Sequence, residues 1–315
     1  MSKLKDFLKH ELYTYDKQKM NLLKAILPLI IIIHHIAPYG YNGIQTIASL
    51  GDIVMYIFFA MSGYGLVTSY LRNDEYLNGF LKKSLTKLFI PYLVAMLLFV
   101  VYRYINGIDN IELLKTKGLF YFVPTSWYIY VLSYFYIFFF IVFKYAKTNN
   151  IIKVLLVCLL IYAYCLLAPT LGIESWRYNR CPAFCIGMIF ALCDKYIRSR
   201  FVRRHILLVL FFLICIYPLR YSIHWRIYSF LPLYYTTIFF LFMYIIGNVK
   251  QLRITKFLSS ISLEMFIIQY IPIYIFVNNL NLTSTTVVVS VVIILDIIIA
   301  YLMHKAIKPI TKRII

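Results

Sequence analysis

The sequence predicts an all-α protein, a bundle of about ten transmembrane helices with both termini on the cytoplasmic side. Of its 315 residues, 62% are hydrophobic and only 14% are charged, a balance with which a soluble domain could not cover its surface. Apolar runs of roughly 18 or more residues recur along the whole chain, which is typical of membrane helices. Lysines and arginines gather in alternate connections between these runs, as is usual for cytoplasmic loops.

The ten predicted helices are separated by short connections. Hydrophobicity places them at residues 21–38, 51–71, 87–105, 124–144, 151–170, 178–194, 205–219, 230–247, 258–277 and 285–304. Since no connection is long enough for a separate domain, residues 21–315 are interpreted as one transmembrane domain. Residues 1–20 carry apolar side chains at helical spacing among lysines, which favours a cytoplasmic interfacial segment.

The formal net charge of +20 follows from this topology and does not indicate a nucleic-acid partner. All but seven of the 32 lysines and arginines lie in segments predicted to be inside. The seven in the predicted outer loops are Arg103, Lys115, Lys117, Arg177, Arg180, Arg220 and Arg226. This asymmetry supports an even number of crossings, and it makes the lipid bilayer the first expected partner.

The six cysteines lie in or at the ends of apolar runs, and they form no CxxC pair. Free thiols in such positions behave as small hydrophobic side chains. The sequence therefore predicts neither a metal site nor a disulfide framework.

Ionisable side chains inside membrane helices are costly, so each of them is a candidate functional residue. Lys24 and His35 in the first helix are eleven residues apart, which at about 100° per residue places both on one face. The rise of about 16 Å takes His35 to roughly the middle of a ~30 Å hydrocarbon core. A neutral imidazole there can accept a proton from a hydroxyl; the alternative is a histidine that bonds a neighbouring helix. His34 points about 80–100° away from this face.

The second helix contains the segment FFAMSGY at residues 58–64. Gly63 permits a close helix contact, and Ser62 is either a hydrogen-bond donor to a ligand or part of a small packing patch. Asp52 lies near the start of the same apolar run.

Basic residues follow the second helix, at Arg72, Lys83 and Lys87. The bias of inner loops toward positive charge explains them, but a cytoplasmic ligand with several phosphates would need such a cluster as well. Glu264 in the ninth helix lies inside an apolar run. It requires a cationic or hydroxyl partner that the sequence does not identify.

Taken together and in this order, these residues resemble the bacterial membrane acyltransferase family 3. Lys24 and His35 look like the basic residue of that family and the histidine that follows it eleven positions later. Residues 58–64 look like its FF-x-x-SG-aromatic signature.

The later motifs extend the resemblance over nearly the whole chain. Lys83, Lys87 and Pro91 look like the basic pair that the family places before a proline. Trp127 and the segment at residues 262–266 lie where its weaker motifs fall.

This chain departs from the family pattern at three positions. Lys24 stands where arginine is frequent, and a lysine cannot make a bidentate contact. Tyr56 replaces an acidic residue two positions before the FF pair, for which Asp52 is a candidate substitute. Gln269 stands where a histidine is common, which removes a second titrating group.

The resemblance implies a bacterial cytoplasmic-membrane O-acyltransferase that moves an acyl group, most often acetyl, from cytoplasmic acyl-CoA to a hydroxyl of a surface carbohydrate or lipid-linked sugar. His35 is then the expected general base, with Lys24 and Ser62 as positioning groups. Acyl-CoA as donor, without a metal, is the expected cofactor, and a homo-oligomer is left open. The expected CoA contacts are Arg72, Lys83 and Lys87, and the expected supporting residues are Asp52, Trp127, Glu264 and Gln269.

Two alternatives remain open at this stage. A transporter or flippase for a polysaccharide intermediate suits ten helices with basic loops, although Pro and Gly breaks do not pair across the two halves of the chain. A catalytically inactive assembly subunit is the other alternative, against which His35 and Ser62 argue. The sequence specifies neither the acyl group nor the acceptor.

Overall fold

The computed structural model describes residues 17–73, 75–118, 122–200, 203–216, 230–246, 249–250, 252–279 and 284–315. Helices make up most of these ranges and no strand occurs in them, which confirms the all-α prediction. Residues 1–16, which form most of the predicted interfacial segment, lie outside the described ranges.

The helices of the described ranges are numbered here in chain order. They are α1 Lys17–Ile36, α2 Gln45–Ala48, α3 Gly51–Arg72, α4 Phe80–Ile105, α5 Asn110–Lys117, α6 Ser126–Tyr145, α7 Asn150–Leu167, α8 Ser175–Tyr178, α9 Pro182–Arg200, α10 Arg203–Ile216, α11 Phe230–Ile245, α12 Arg253–Ser260, α13 Ser262–Ile268, α14 Tyr270–Tyr274 and α15 Thr285–Ile314. Short 3-10 segments follow α1 and α7, at Ala37–Tyr39 and Ala168–Leu171, and a π-helical segment, Ile275–Asn279, follows α14.

Each predicted apolar run overlaps one of these helices or, in the ninth run, a broken series of them. Helix α12 and residues 262–277 meet at a bend of 52°. Together they are long and apolar enough to count as one further candidate crossing. Helix α11 is apolar but shorter. The protein is therefore a multi-pass membrane protein, while ten crossings with cytoplasmic termini stay a prediction. Six described segments are long and apolar enough to cross a membrane alone: Gln18–Tyr39, Gln45–Arg72, Phe80–Ile105, Ser126–Tyr145, Asn150–Leu171 and Thr285–Ile314.

Two helices extend furthest beyond the ends that hydrophobicity predicts for them. Helix α4 begins at Phe80, seven residues before its predicted start, and α15 continues to Ile314, ten residues past its predicted end. Lys83 therefore lies on the first turn of α4 and not in the loop before it, which corrects the sequence-based placement of that residue. Lysine stems cover apolar surface while their ammonium groups reach water, so a hydrophobicity window ends such helices too early.

Contacts between Cα atoms divide the chain into two compact units. Unit 1 contains Met1–Met20, Met55–Asn78 and Phe138–Lys250, and unit 2 contains Asn21–Val54, Gly79–Ile137 and Gln251–Ile315.

In unit 1, helices α3 and α9 approach each other closely at two glycines. A Cβ atom added to Gly63 would lie 2.1 Å from the carbonyl oxygen of Phe184. One added to Gly187 would lie 2.0 Å from the carbonyl oxygen of Ala60. These spaces admit only glycine, so part of the FFAMSGY signature at residues 58–64 serves helix packing.

In unit 2, α15 packs against α4, α13 and α14. The helix series that it covers is broken at Gln269, between α13 and α14. Pro272 contributes to the break because it lacks the N–H that would bond the carbonyl of Ile268. Side chains satisfy carbonyl groups at this break: the Thr125 hydroxyl donates to the carbonyl of Ile267 at 3.0 Å, and the Gln269 amide donates to that of Phe266 at 2.8 Å.

Candidate functional site

A cavity of about 610 Å³ opens within unit 2, at the basic ends of α1, α4 and α15. Its volume is in the range of small-molecule binding sites. The residues that line it are Lys24, Lys83, Lys87, Pro91, Ser259, Ser260, Ser262, Leu263, Glu264, His304, Ile307, Lys308, Thr311, Lys312 and Ile315.

Five lysines and one carboxylate give this cavity its charge. The lysines come from three helices, each of which turns its basic face inward. Lys83 and Lys87 are four residues apart on α4, so they share a face, and Lys308 and Lys312 do so on α15. Lys24 of α1 completes the set. Like charges gathered around a cavity repel one another, and an anionic ligand relieves that repulsion. The arrangement therefore suits a polyanion.

The carboxylate in the cavity has a partner. Glu264 is only 5% exposed, and its Oε1 accepts a hydrogen bond of 2.7 Å from Nδ1 of His304. This contact answers the question that the sequence left open about a partner for Glu264. This hydrogen bond fixes the orientation of the Glu264 carboxylate.

His35 lies further along α1, in contact with the broken helix. Its Nδ1 is 3.1 Å from Oε1 of Gln269, a fully buried side chain. The Gln269 amide nitrogen donates to the carbonyl of Phe266, which fixes the direction of the amide and leaves Oε1 as the acceptor. Nδ1 of His35 must then carry the proton. In the neutral ring Nε2 is therefore the basic nitrogen, the tautomer that a general base requires.

His34 has a different environment. Its Nδ1 donates to the carbonyl oxygen of Ala48 at 2.7 Å. A Cβ atom added to Gly51 would lie 2.3 Å from Cγ of its ring, so the imidazole is packed directly against the start of α3. These contacts give His34 a structural role in joining α1 to α2 and α3.

The structure brings some of the predicted site residues together. Lys24, Lys83, Lys87 and Glu264 line the one cavity, and Gln269 contacts His35.

The other predicted site residues are not among those that line the cavity. Asp52 is exposed in the first turn of α3. Trp127 is buried, with its ring 6.1 Å from that of Tyr128. Ser62 and Arg72 belong to unit 1; the Ser62 hydroxyl donates to the carbonyl of Phe58 at 2.9 Å, and Arg72 is exposed at the end of α3.

Two lysines of the cavity wall, Lys308 and Lys312, were not predicted from the sequence to serve a ligand. They are four residues apart and so share one face of α15. That spacing was visible in the sequence, but the bias toward positive charge in inner segments was a sufficient explanation for it.

Within the part of the chain that the structure describes, no group of three or more His, Cys, Asp or Glu side chains could hold a metal ion.

Comparison with known proteins identifies one family. The family model of acyltransferase 3, described as an acyltransferase domain, matches residues 17–305, which include every residue of α1 to α14 and most of α15. No curated protein and no solved structure matches the chain.

Proposed function

Because this chain belongs to the acyltransferase 3 family and is a multi-pass membrane acyltransferase, we propose that it moves an acyl group, most simply acetyl, from acyl-CoA to a hydroxyl of a surface carbohydrate or lipid-linked sugar. The membrane would be the bacterial cytoplasmic membrane. The observation that carries the proposal is that unit 2 contains both the lysine-lined cavity and His35, whose Nε2 is the basic nitrogen.

The lysine cavity suits the CoA part of the donor. CoA carries a diphosphate and a further phosphate on its ribose, and each charge-assisted contact between a phosphate and a lysine is worth about 1.5–3 kcal/mol. Lys83, Lys87 and Lys24 supply such contacts from two helices. The cavity also lies where α4 and α15 are most basic, which the charge rule assigns to the cytoplasm, where acyl-CoA is found.

The distance from the lysines to His35 fits the pantetheine arm of CoA. Lys24 and His35 are about 16 Å apart along α1. The backbone of the arm is about as long as that of four amino-acid residues, so it spans roughly 13–14 Å when extended. With its phosphates at the lysines, the arm therefore covers all but about 2–3 Å of the rise from Lys24 to His35.

The proposed reaction transfers one proton to His35 from the acceptor hydroxyl and one proton from His35 to the leaving CoA thiolate. Nε2 of His35 accepts the proton of the acceptor hydroxyl while that oxygen attacks the thioester carbonyl. The tetrahedral intermediate collapses, the carbon–sulfur bond breaks, and the CoA thiolate takes the proton back from His35. Gln269 holds the Nδ1–H and so keeps the ring in the basic tautomer. Lys24 is proposed as a positioning group.

Substitution of the two histidines by asparagine tests the base. An asparagine amide nitrogen lies near the position of histidine Nδ1, so His35→Asn can keep the bond to Gln269 while it removes Nε2. We expect transfer from radiolabelled acetyl-CoA to the glycan fraction of native membranes to fall by about 10²–10⁴-fold. His34→Asn is the matched control because it can keep the bond to Ala48, and it should retain most of the activity.

Both variants are assayed at equal membrane levels. Full activity of His35→Asn would remove the base from the mechanism. Absence of any acyl transfer by the wild-type protein, together with lost glycan export on deletion of the gene, would favour the transporter alternative.

A further inference from the structure

A row of tyrosine rings extends from His35 to the end of α4. The ring of Tyr270 is 4.7 Å from that of His35. The ring of Tyr274 is 5.5 Å from that of Tyr270, and the ring of Tyr102 is stacked 6.1 Å from that of Tyr274. Tyr102 lies fifteen residues after Lys87 on α4, or about 22 Å along the helix. The row therefore leads from the proposed base away from the lysine cavity.

A fourth tyrosine joins this row. Tyr39 is 40% exposed, and its hydroxyl is close enough to those of Tyr102, Tyr270 and Tyr274 to interact with them electrostatically. Each of the four side chains combines a flat apolar face with a hydroxyl that can donate and accept. Such faces pack against the C–H groups of a sugar ring, while the hydroxyls bond its polar groups.

A buried cation lies next to the tyrosines. Arg103 follows Tyr102 on α4 and is only 7% exposed. Its Nη2 donates to the carbonyl of Phe122 at 2.5 Å, and its guanidinium lies 4.5 Å from the ring of Phe122 and 5.4 Å from that of Phe99. Its Nη1 is buried without a hydrogen-bond partner among the described residues. Tyr274 is near enough to interact with its charge.

The N–H groups of Arg103 Nη1 are therefore unused among the described residues, and no carboxylate of those residues pairs with the guanidinium. A buried charge with an unused N–H is costly unless an anion compensates it. The planar guanidinium matches the oxygens of a phosphate or carboxylate better than any other side chain does.

We propose that Tyr39, Tyr102, Tyr270 and Tyr274 form the binding site for the acceptor, and that Arg103 selects acceptors with a phosphate or carboxylate group. This inference rests on the proposed function, since it brings the acceptor hydroxyl to His35 along the tyrosine row. It also explains how two anionic substrates can be bound at once. The donor phosphates lie at the lysines and the acceptor anion at Arg103, about 24 Å away from Lys87 along α4, where their mutual repulsion is small.

Equilibrium binding to the purified full chain in maltoside micelles tests the site without any acyl transfer. The protein is first saturated with CoA, so that the lysine cavity is occupied, and is then titrated with glucose 1-phosphate or with neutral methyl glucoside. We expect glucose 1-phosphate to bind at least about tenfold more tightly, the equivalent of one good charge-assisted contact. Arg103→Gln should reduce its affinity to that of the neutral glycoside. Lys115→Gln, which removes an exposed cation from α5, is the matched control and should change nothing.

Substitution of the rings tests the other half of the site. Tyr274→Ala should weaken both ligands by a similar factor, because the ring contacts the sugar and not the phosphate. If Arg103→Gln does not fold, Arg103→Lys keeps the charge without the planar fork and should give an intermediate affinity for the phosphate.

Three outcomes would overturn the proposal. They are equal affinity of the wild-type protein for the two glycosides, full affinity in both Arg103 variants, and competition by phosphatidylglycerol added to the micelles, which would assign the anion to a lipid headgroup. Selective binding of glucose 1-phosphate by a wild-type protein that transfers no acyl group would contradict the proposed reaction and not this site.

Discussion

His34 and His35 are neighbours in the sequence, yet they meet different partners because a helix turns by about 100° per residue. Nδ1 of His34 is tied to the carbonyl oxygen of Ala48 and its ring is packed against Gly51. Nδ1 of His35 faces the amide oxygen of Gln269, an acceptor that sets the tautomer of the ring. At this scale the partner of each nitrogen, more than the residue type, decides what the imidazole can do.

Gln269 is accordingly predicted to be a positioning residue for His35. Gln269→Leu keeps the volume of the side chain but removes the acceptor for Nδ1–H. We expect kcat to fall by about 10- to 100-fold, as when an orienting partner of a functional histidine is lost, with little change in the KM for acetyl-CoA. Gln269→Glu still offers an acceptor and should restore part of kcat. Both constants are measured in membrane vesicles.

Ser133→Ala is a suitable comparison, because it also removes a buried hydrogen bond in unit 2, from its hydroxyl to the carbonyl of Ile129. If Gln269→Leu and Ser133→Ala reduce kcat equally, the effect of Gln269 is on stability alone. Partial rescue by Gln269→Glu distinguishes the two roles.

At the scale of helices, α4 and α15 each present lysines with a four-residue period to the same cavity. Neighbouring lysines on the same helices point elsewhere: Lys82 and Lys305 are exposed but do not line the cavity. Each helix thus contains its own control for the effect of charge, since the inward and outward lysines differ chiefly in direction.

Removal of the inward lysines should weaken donor binding. Lys83→Gln with Lys308→Gln is expected to raise the KM for acetyl-CoA by about tenfold or more, with a smaller effect on kcat, because each phosphate contact contributes on the order of 1.5–3 kcal/mol. The rise should shrink at high salt, where the wild-type contacts are themselves screened. Lys82→Gln with Lys305→Gln removes the same charge and should leave the KM near that of the wild type. Equal effects of the two pairs would mean that the lysines act only through net charge or topology.

The helices differ in how far the sequence could predict them. Period and hydrophobicity were enough to place Lys24 and His35 on one face of α1, because that relation is local. The close approach of α3 and α9 at Gly63 was one of two readings of the FFAMSGY segment, and its partner Gly187 could not be paired with it from one sequence. The break at Gln269 depends on Pro272 and on Thr125, which lies directly before α6. Such long-range contacts leave no periodic signal.

At the scale of the whole molecule, the lysine cavity too was only partly predictable from the sequence, because its wall is formed by helices that are distant along the chain. The sequence predicted that Lys83 and Lys87 serve a ligand with phosphates, but not that Lys308 and Lys312 of the last helix face them. Glu264 and His304 are forty residues apart, so their bond is visible only after the helices have packed. A hydrophobicity window also could not decide the number of crossings, because six described segments pass the length criterion alone and one further pair is bent.

Membrane orientation connects this architecture to the proposed reaction. Lys312 and Ile315 at the C-terminal end of α15 line the lysine cavity, so that end of the helix and the cavity open to the same side of the membrane. If acyl-CoA is the donor, this side has to be the cytoplasm. The distribution of lysines and arginines independently predicts a cytoplasmic C-terminus and an even number of crossings.

Reporter fusions test this prediction directly. Fusions at Asn149 and after Ile315 should report a cytoplasmic location. Fusions at Asn42 and Asn110 should report the opposite side, because one and three predicted crossings, respectively, separate them from the cytoplasmic N-terminus. The fusion at Asn110 also locates the end of α4 that carries Arg103 and the tyrosine row. An external C-terminus would separate the lysine cavity from the cytoplasmic pool of acyl-CoA. It would contradict the donor assignment and the topology together, because both depend on the basic ends of α4 and α15 facing the cytoplasm.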